Sequence, residues 1–401
     1  MKQPPLPLEE AQARLLALAE PLPIERVDPP SALGRFLAEP LVARRTNPAA
    51  DQSAMDGYAV NGEDMAGPWR VIGESAAGHP FAGTVASGQA VRISTGAMLP
   101  AGAGSVILQE DISREGDTIR LSGEAPSPPG KHIRRLGMDF REGDTLLPPG
   151  TGIGPAQLAL AISAGQSHLP VHRRPRLAII DSGDELSGDC HLCPPHQIPA
   201  SNGAMLAALA ACLPCETERL GPVGDNMAAI ADVLIRSERA DLIVTSGGAS
   251  VGDHDLIRPA LEAWGAEIDF WRIAIKPGKP LLVARRGPQL VLGLPGNPVS
   301  SHVTAFLFML PVLRALLGSA KPMPRPVRAI LSVPLGPGGS RREFLRAEWN
   351  GESAAALSLQ DSGALSSLAA ANALIDRPAN SPAQPAGAPV SVYLLENGGI
   401  A

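Results

Sequence analysis

Positive charge is in short supply: 34 Lys and Arg stand against 40 Asp and Glu, a formal net charge of -6. That balance leaves no basic footprint, so no nucleic-acid partner is expected. Long apolar runs are missing too. No stretch of 18 or more uncharged apolar residues occurs, and the longest candidate, "VTAFLFMLPVLRALLG", carries Pro311 and Arg314. No membrane span is expected. The opening "MKQPPLPLEEAQARLL" has no apolar h-region and no small-residue cleavage site. The expectation is therefore a cytoplasmic protein without a secretory signal. Four cysteines do not indicate a disulfide framework, and aromatic residues make up only 3%.

What is present is length and punctuation. The 401 residues exceed one ordinary core, so two to four domains are expected, and 42 glycines and 41 prolines spread along the chain read as turns. "LEEAQARLLALAE" puts Leu8, Ala11, Leu15 and Leu18 on one helical face, stopped by Pro21. From about Thr46 to Arg135 the helical period vanishes. "WRVIGE", "QAVRIS", "GSVILQE" and "DTIRLSG" read as strands of a small β-rich unit. "GPAQLALAISAG" returns to helix, and "SHLPVHRRP" reads as a linker.

After Pro175 the grammar changes. "RLAII", "DLIVTS" and "PQLVLGL" are short apolar strands. They alternate with helices at "SNGAMLAALAACL" (cap Ser201 or Asn202), "DNMAAIADVLIRSE" (cap Asp225 or Asn226) and "DLIRPALEAW". A long helix starts at Asn297-Pro298. This pattern argues for a parallel sheet covered on both faces. From about Lys321 strands return ("VRAILSVPL", "EFLRAEW", "VSVYLL"), with one short helix, "LSSLAAANA", and a loose loop over 378–389.

In an open parallel α/β sheet ligands sit beyond the carboxyl ends of the strands. Three loops occupy that position: "DSGDEL" (181–186), "SGGASVGDHD" (246–255) and "PGNP" (295–298). Bare backbone N–H groups at helix starts cradle anions. Asp184, Glu185, Asp253 and Asp255 repel anions but could hold Mg²⁺, which bridges carboxylate and phosphate oxygens. "AIKPGKP" adds Lys276 and Lys279 on the turn of a β-hairpin. On chemistry alone, Asp56-Gly57 and Thr95-Gly96 are structural turns.

Six motifs in order, "SAMDGYA", "RISTGAMLPAG", "DSGDEL", "TSGGASVGDHD", "AIKPGKP" and "GLPGNPVS", resemble the molybdopterin molybdenumtransferases. These are the MoeA proteins and the equivalent C-terminal domain of gephyrin. The likeness continues through "GSRREFLRAEW" and "DSGALSSLAAANALI". It implies a multidomain α/β plus β protein. A discontinuous helical/β domain (1–45 and 141–174) carries an inserted β-rich domain (46–140). A MogA-like α/β domain (175–322) and a C-terminal β-barrel-like domain (323–401) follow.

The implied reaction inserts molybdate into adenylylated molybdopterin, with Mg²⁺-assisted release of AMP. The implied assembly is an elongated homodimer with its active site between subunits. The molybdopterin adenylyltransferase and molybdoenzyme maturation proteins are expected partners. Carried over by motif, the catalytic residues are Asp56, Thr95, Glu185, Asp225, Asp255, Lys276 and Lys279. Glu185, Asp225 and Asp255 would hold the metal. Ser246, Gly247, Gly248, Ser250, Gly252, Pro295, Gly296, Asn297, Pro298 and Asp139 would line the pterin site. Three other readings stand beside this one: a molybdopterin adenylyltransferase, a non-catalytic scaffold, and a tungstate-specific paralogue.

The chain departs from the family at "SGDCHLCPPHQIPASN" (187–202), where Ala200 stands at a position usually acidic. There Cys190 and Cys193 form one C-x-x-C, and Cys212 and Cys215 form another. Their spacing suits a zinc ribbon, with His191 and His196 as spare ligands. The helix between the pairs, about 16 Å long at 1.5 Å per residue, should hold them apart. Free buried thiols are the expectation. His168, His172 and His302 read as surface or capping residues.

Overall fold

Four strands run parallel, each followed by a helix, and three of them are apolar on both faces. In this computed structural model, which describes residues 4–247 and 256–395, they are ordered Glu216–Val223, Arg176–Ser182, Leu242–Ser246 and Gln289–Leu294. Alternate side chains serve opposite faces. Leu177 and Ile179 pack toward the helix Asn202–Ala210 and the long helix from Pro298. Ala178 and Ile180 pack toward the helices Met227–Arg236 and Ile257–Ala263. The hairpin Glu267–Arg272 and Pro280–Arg286 extends the sheet antiparallel, so the sheet is mixed. Glu216–Val223 had no strand signature, because it is an edge strand whose Glu216, Thr217, Glu218 and Arg219 are all exposed.

Pro311 does not interrupt the long helix. Pro298–Leu316 is continuous over 19 residues, with a π segment at Ala305–Met309. Proline lacks the N–H that would bond the carbonyl four residues earlier. That carbonyl belongs to Leu307, and Gln12 Nε2 donates to it at 3.0 Å. The window is 89% buried inside the protein, so the helix is a core element.

The first helix runs Leu8–Leu16 and buries Leu8, Ala11, Gln12 and Leu15, ending before Pro21. The "linker" is structured: Leu169–His172 pairs antiparallel with Ile24–Val27. Arg173 grips Asp241 through Nη1 and Nη2 at 2.7 and 2.6 Å. A six-stranded sheet between these segments carries the four expected strands plus Gly57–Val60 and Ile112–Glu115. Gly57 opens a buried strand and is not a surface turn. A Cβ there would lie 1.9 Å from the Ile107 carbonyl, so only glycine fits.

The C-terminal strands close into a five-stranded barrel. Arg342–Trp349, Ser353–Ala356, Val327–Leu331, Pro389–Leu394 and Ala373–Arg377 follow one another, and the last pairs back onto the first. Ala373–Arg377 was hidden in the tail of the alanine-rich helix, which ends at Ala370. The two-residue strand Ile275–Lys276 lies parallel against Arg342–Glu343 and joins this barrel to the α/β sheet.

Candidate active site

The register brings Asp181 opposite Ser246, and Ser246 opposite Leu294, so three strands end at one level. The loops beyond them touch. Gly247, at φ +98°, donates its N–H to the Leu294 carbonyl at 3.2 Å, and a Cβ there would lie 2.6 Å from the Ser182 carbonyl. Gly296 sits against Gly247 in turn. Asn202 fastens this edge: Nδ2 donates to Ser246 Oγ at 2.8 Å and to the Gly296 carbonyl at 2.7 Å. Of the two expected cap residues, Ser201 takes the N-cap position, without a side-chain cap hydrogen bond, and Asn202 is the first residue of the helix.

A cavity of about 820 Å³ opens over these loops. Glu185, Asp225, Gly247, Lys276, Lys279, Pro295, Gly296, Asn297 and Pro298 all line it. Ser246 is buried at its edge with its hydroxyl held by Asn202. Gly248, Ser250, Gly252, Asp253, His254 and Asp255 lie outside the described residues. Asp56, Thr95 and Asp139 do not line the cavity within the chain. They are exposed on the β-rich unit, where Thr95 N–H donates to Asp56 Oδ1 at 2.6 Å and Asn47 Nδ2 to Asp139 Oδ2 at 3.1 Å. The Thr95 backbone N–H holds the Asp56 carboxyl below its ordinary 3.8.

Two of the three carboxylates that line the cavity, Glu185 and Asp225, come from the strand-end loops. Neither Glu185 nor Asp225 forms an ion pair among the described residues. Asp225 Oδ1 accepts from Ser182 Oγ at 3.1 Å and Oδ2 from the Asp184 N–H at 3.4 Å. Asn226, not Asp225, caps the next helix, its Oδ1 accepting from Ala229 N–H at 2.9 Å. The Glu185 carboxylate folds back over Gly183, where a Cβ would come 2.4 Å from Oε2. Two unneutralised carboxylates suit a divalent cation of the Mg²⁺ type, which takes one or two such groups and fills its shell with water and phosphate oxygens. Below them, burial raises the Asp181 carboxyl above 3.8, against the lowering effect of the Gly203 N–H at 3.0 Å.

Cations line the same cavity. Lys276 Nζ lies 3.2 Å from Glu343 Oε1, while Lys279 makes no ion pair among the described residues. Arg341, Gln360, Asp361 and Ser362 also line the cavity, and Asn297 Nδ2 reaches Ser362 Oγ at 3.1 Å. Sequence reasoning quoted the motifs that hold Arg341, Asp361 and Ser362 but singled out none of them, and did not quote Gln360. The pairing of Ile275–Lys276 with Arg342–Glu343, and the bonds of Ser362 to Asn297 and Val299, bring them here.

Among the described residues no group of three His, Cys, Asp or Glu side chains could hold a metal. The thiols are free but not buried: Cys190 and Cys212 are exposed, Cys193 and Cys215 half-buried. Two histidines also differ from expectation. His172 Nδ1 bonds the Leu22 carbonyl, and His302 is half-buried, its imidazole pushed by burial from 6.5 down to about 4.

Residues 6–165 match the MoeA N-terminal region (domain I and II), 178–315 a probable molybdopterin binding domain, and 328–395 the MoeA C-terminal region (domain IV). The molybdopterin molybdenumtransferase of Haemophilus influenzae is 36% identical over 346 residues, covering 85% of each chain. Molybdopterin molybdenumtransferase 2 of Mycobacterium tuberculosis is 35% identical over 380 residues, 91% of this chain and 93% of that one. The crystal structure of the molybdopterin biosynthesis MoeA protein from Pyrococcus horikoshii OT3 superposes with a TM-score of 0.84 at 29% identity. It covers 98% of this chain and 100% of that one. With the mixed α/β sheet, the closed barrel and the acid- and lysine-lined cavity between them, these matches mean that the chain belongs to the molybdopterin molybdenumtransferase family, transferases of molybdenum cofactor biosynthesis.

Proposed function

We propose that the protein inserts molybdate into adenylylated molybdopterin and releases AMP in an Mg²⁺-dependent reaction. One observation carries this reading. A single cavity is lined by three carboxylates without an ion pair among the described residues, Glu185, Asp225 and Asp361, and by three cationic side chains, Lys276, Lys279 and Arg341. Such a division suits a substrate with both a phosphoanhydride and an oxyanion. The cations attract and orient anionic oxygens. The Gly247 and Pro295–Pro298 backbone lets a planar ring approach closely, because no side chain projects from the glycines.

Mg²⁺ held by Glu185 and Asp225 would neutralise charge on the phosphate oxygens as AMP leaves. The Ser182 hydroxyl and the Asp184 N–H orient Asp225 for that task. Lys279, without a protein counter-ion among the described residues, is free to follow the anion, whereas Lys276 is tethered. No covalent protein nucleophile is needed, since molybdate or water can attack phosphorus.

The active unit in this reading is a homodimer. Asp56 and Thr95 are exposed away from the cavity of their own chain, and around them Met55, Met98, Leu136 and Met138 are exposed apolar residues. Their loops are bonded to one another through the Gln52–Met98 bridge and the Asp51–Leu136 hydrogen bond of 2.8 Å. A second copy covering this surface would bring Asp56 and Thr95 to its own cavity. The adenylyltransferase that makes the substrate, and the proteins that accept the product, would be transient partners.

The deciding experiment mixes purified protein with adenylylated molybdopterin, Mg²⁺ and molybdate. AMP release that requires molybdate supports the transferase. ATP consumption without molybdate would point to the adenylyltransferase instead, and no turnover with either would leave the scaffold. Replacing molybdate with tungstate in the same assay tests the paralogue.

A further inference from the structure

Of the two lysines lining the cavity, only Lys276 has a carboxylate partner among the described residues. The pair is unequal. The Lys276 side chain is 55% exposed, but Glu343 is only 8% exposed. The second Glu343 oxygen, Oε2, accepts from Arg377 Nη1 at 3.2 Å. Arg377 is buried as well, and its Nη2 donates to the Gly336 carbonyl. A buried carboxylate thus stands between a buried guanidinium that fixes it and an ammonium that reaches the cavity. The backbone reinforces the arrangement. Ile275–Lys276 lies in register with Arg342–Glu343, Arg342 N–H donates to the Ala274 carbonyl at 2.9 Å, and Arg341 Nη1 donates to the Ile275 carbonyl at 3.1 Å. Lysine has a long stem that loses rotamer freedom on ordering. A counter-ion that cannot itself move settles that loss before any substrate arrives.

We propose that Glu343 is a positioning residue for the anion site: clamped by Arg377, it fixes the Lys276 ammonium in the cavity, so the C-terminal barrel sets where the substrate's anionic group is held. This rests on the reading of the cavity given above. Glu343 touches no substrate and acts through Lys276. The two lysines then divide the work, Lys276 as a fixed point and Lys279 as a mobile one. The barrel becomes part of the active site without supplying the reacting groups.

Two measurements test it. The first is competitive acetylation of the full-length protein, read by mass spectrometry with Lys279 as internal reference. Glu343→Gln should raise labelling of Lys276 relative to Lys279 by about threefold or more, as expected when a counter-ion is removed from an exposed amine. Unchanged labelling overturns the proposal, whatever reaction the protein catalyses. The second is a double-mutant cycle on molybdate-dependent AMP release. Glu343→Gln alone should lower kcat/KM by about tenfold, and in the Lys276→Ala background it should have no further effect. An equal loss in both backgrounds would mean that Glu343 only stabilises the barrel, and the proposal fails. If the wild-type protein releases no AMP, the proposed function fails instead, and the labelling alone decides the role of Glu343. Should Glu343→Gln not fold because Arg377 is left beside a neutral amide, Glu343→Asp serves with the same outcomes. It keeps the charge near Arg377 but draws it back by one methylene.

Discussion

Asp225 illustrates how a carboxylate is kept available at a helix start. Asn226 takes the cap, so the Asp225 oxygens need only the Ser182 hydroxyl and the Asp184 N–H. Asp225→Asn should therefore lower turnover about a hundredfold while shifting Tm by no more than a few degrees, because no ion pair among the described residues is lost. Lys279→Ala should behave alike, since it is exposed and makes no ion pair among the described residues. Thermal melts beside AMP-release assays check both; a collapse of Tm would make these residues structural. His302 has a different signature. Its folded value of about 4 lies below the ordinary 6.5, so between these two pH values the unfolded chain binds the proton and the folded one does not. Stability from this group is complete above about pH 6.5, declines on acidification, and levels off below about pH 4; at most about 3 kcal/mol is involved. Urea unfolding at pH 7 and pH 4.5 should give a smaller pH difference for His302→Leu than for the wild type. An identical difference would mean that the imidazole does not titrate in this way.

Among elements, the long helix from Pro298 shows what local reading misses. Sequence alone places Pro311 in an apolar run and concludes that the run is broken. The freed Leu307 carbonyl is instead satisfied by Gln12, a residue 295 positions away. Gln12→Leu should destabilise the protein by about 1–3 kcal/mol, the penalty for leaving a buried carbonyl without a donor. Chemical denaturation measures it, and a loss below about 0.5 kcal/mol would assign the carbonyl another partner. The same distinction explains the rest of the fold. "RLAII", "DLIVT" and "LVLGL" are legible because burial on both faces writes itself as continuous apolar sequence. Glu216–Val223 is not legible, because an edge strand with an exposed face carries no such run. Asn202 looks like a cap by position, yet its amide serves two other loops that only the folded sheet brings near.

At the scale of the whole molecule, the candidate site is readable in the sequence where it is built from strand-end loops. Glu185, Asp225 and the lysine hairpin each sit in a short motif whose chemistry is local. Arg341, Glu343 and Ser362 are not readable this way, because the first two enter through pairing of the barrel with the hairpin across more than sixty residues and Ser362 through its bonds to Asn297 and Val299. Asp56 and Thr95 are a third case: their motifs are legible, but one folded chain leaves them outside its own cavity. In the proposed homodimer two copies share each site, which mixing can measure. Asp56→Asn disables the face a subunit lends to its partner, and Lys279→Ala disables the cavity it keeps. Each homodimer of one variant has two damaged sites. A heterodimer concentrates both lesions in one site and leaves the other whole. Unfolding and refolding the variants together in equal amounts makes about half of the dimers mixed, so activity should recover to about a quarter of the wild type from two nearly inactive preparations. Recovery requires chain exchange, so mixing without unfolding should give less. If refolded mixtures stay as inactive as their parents, each subunit carries a complete site, and the Asp56 carboxylate has no place in a neighbour's cavity.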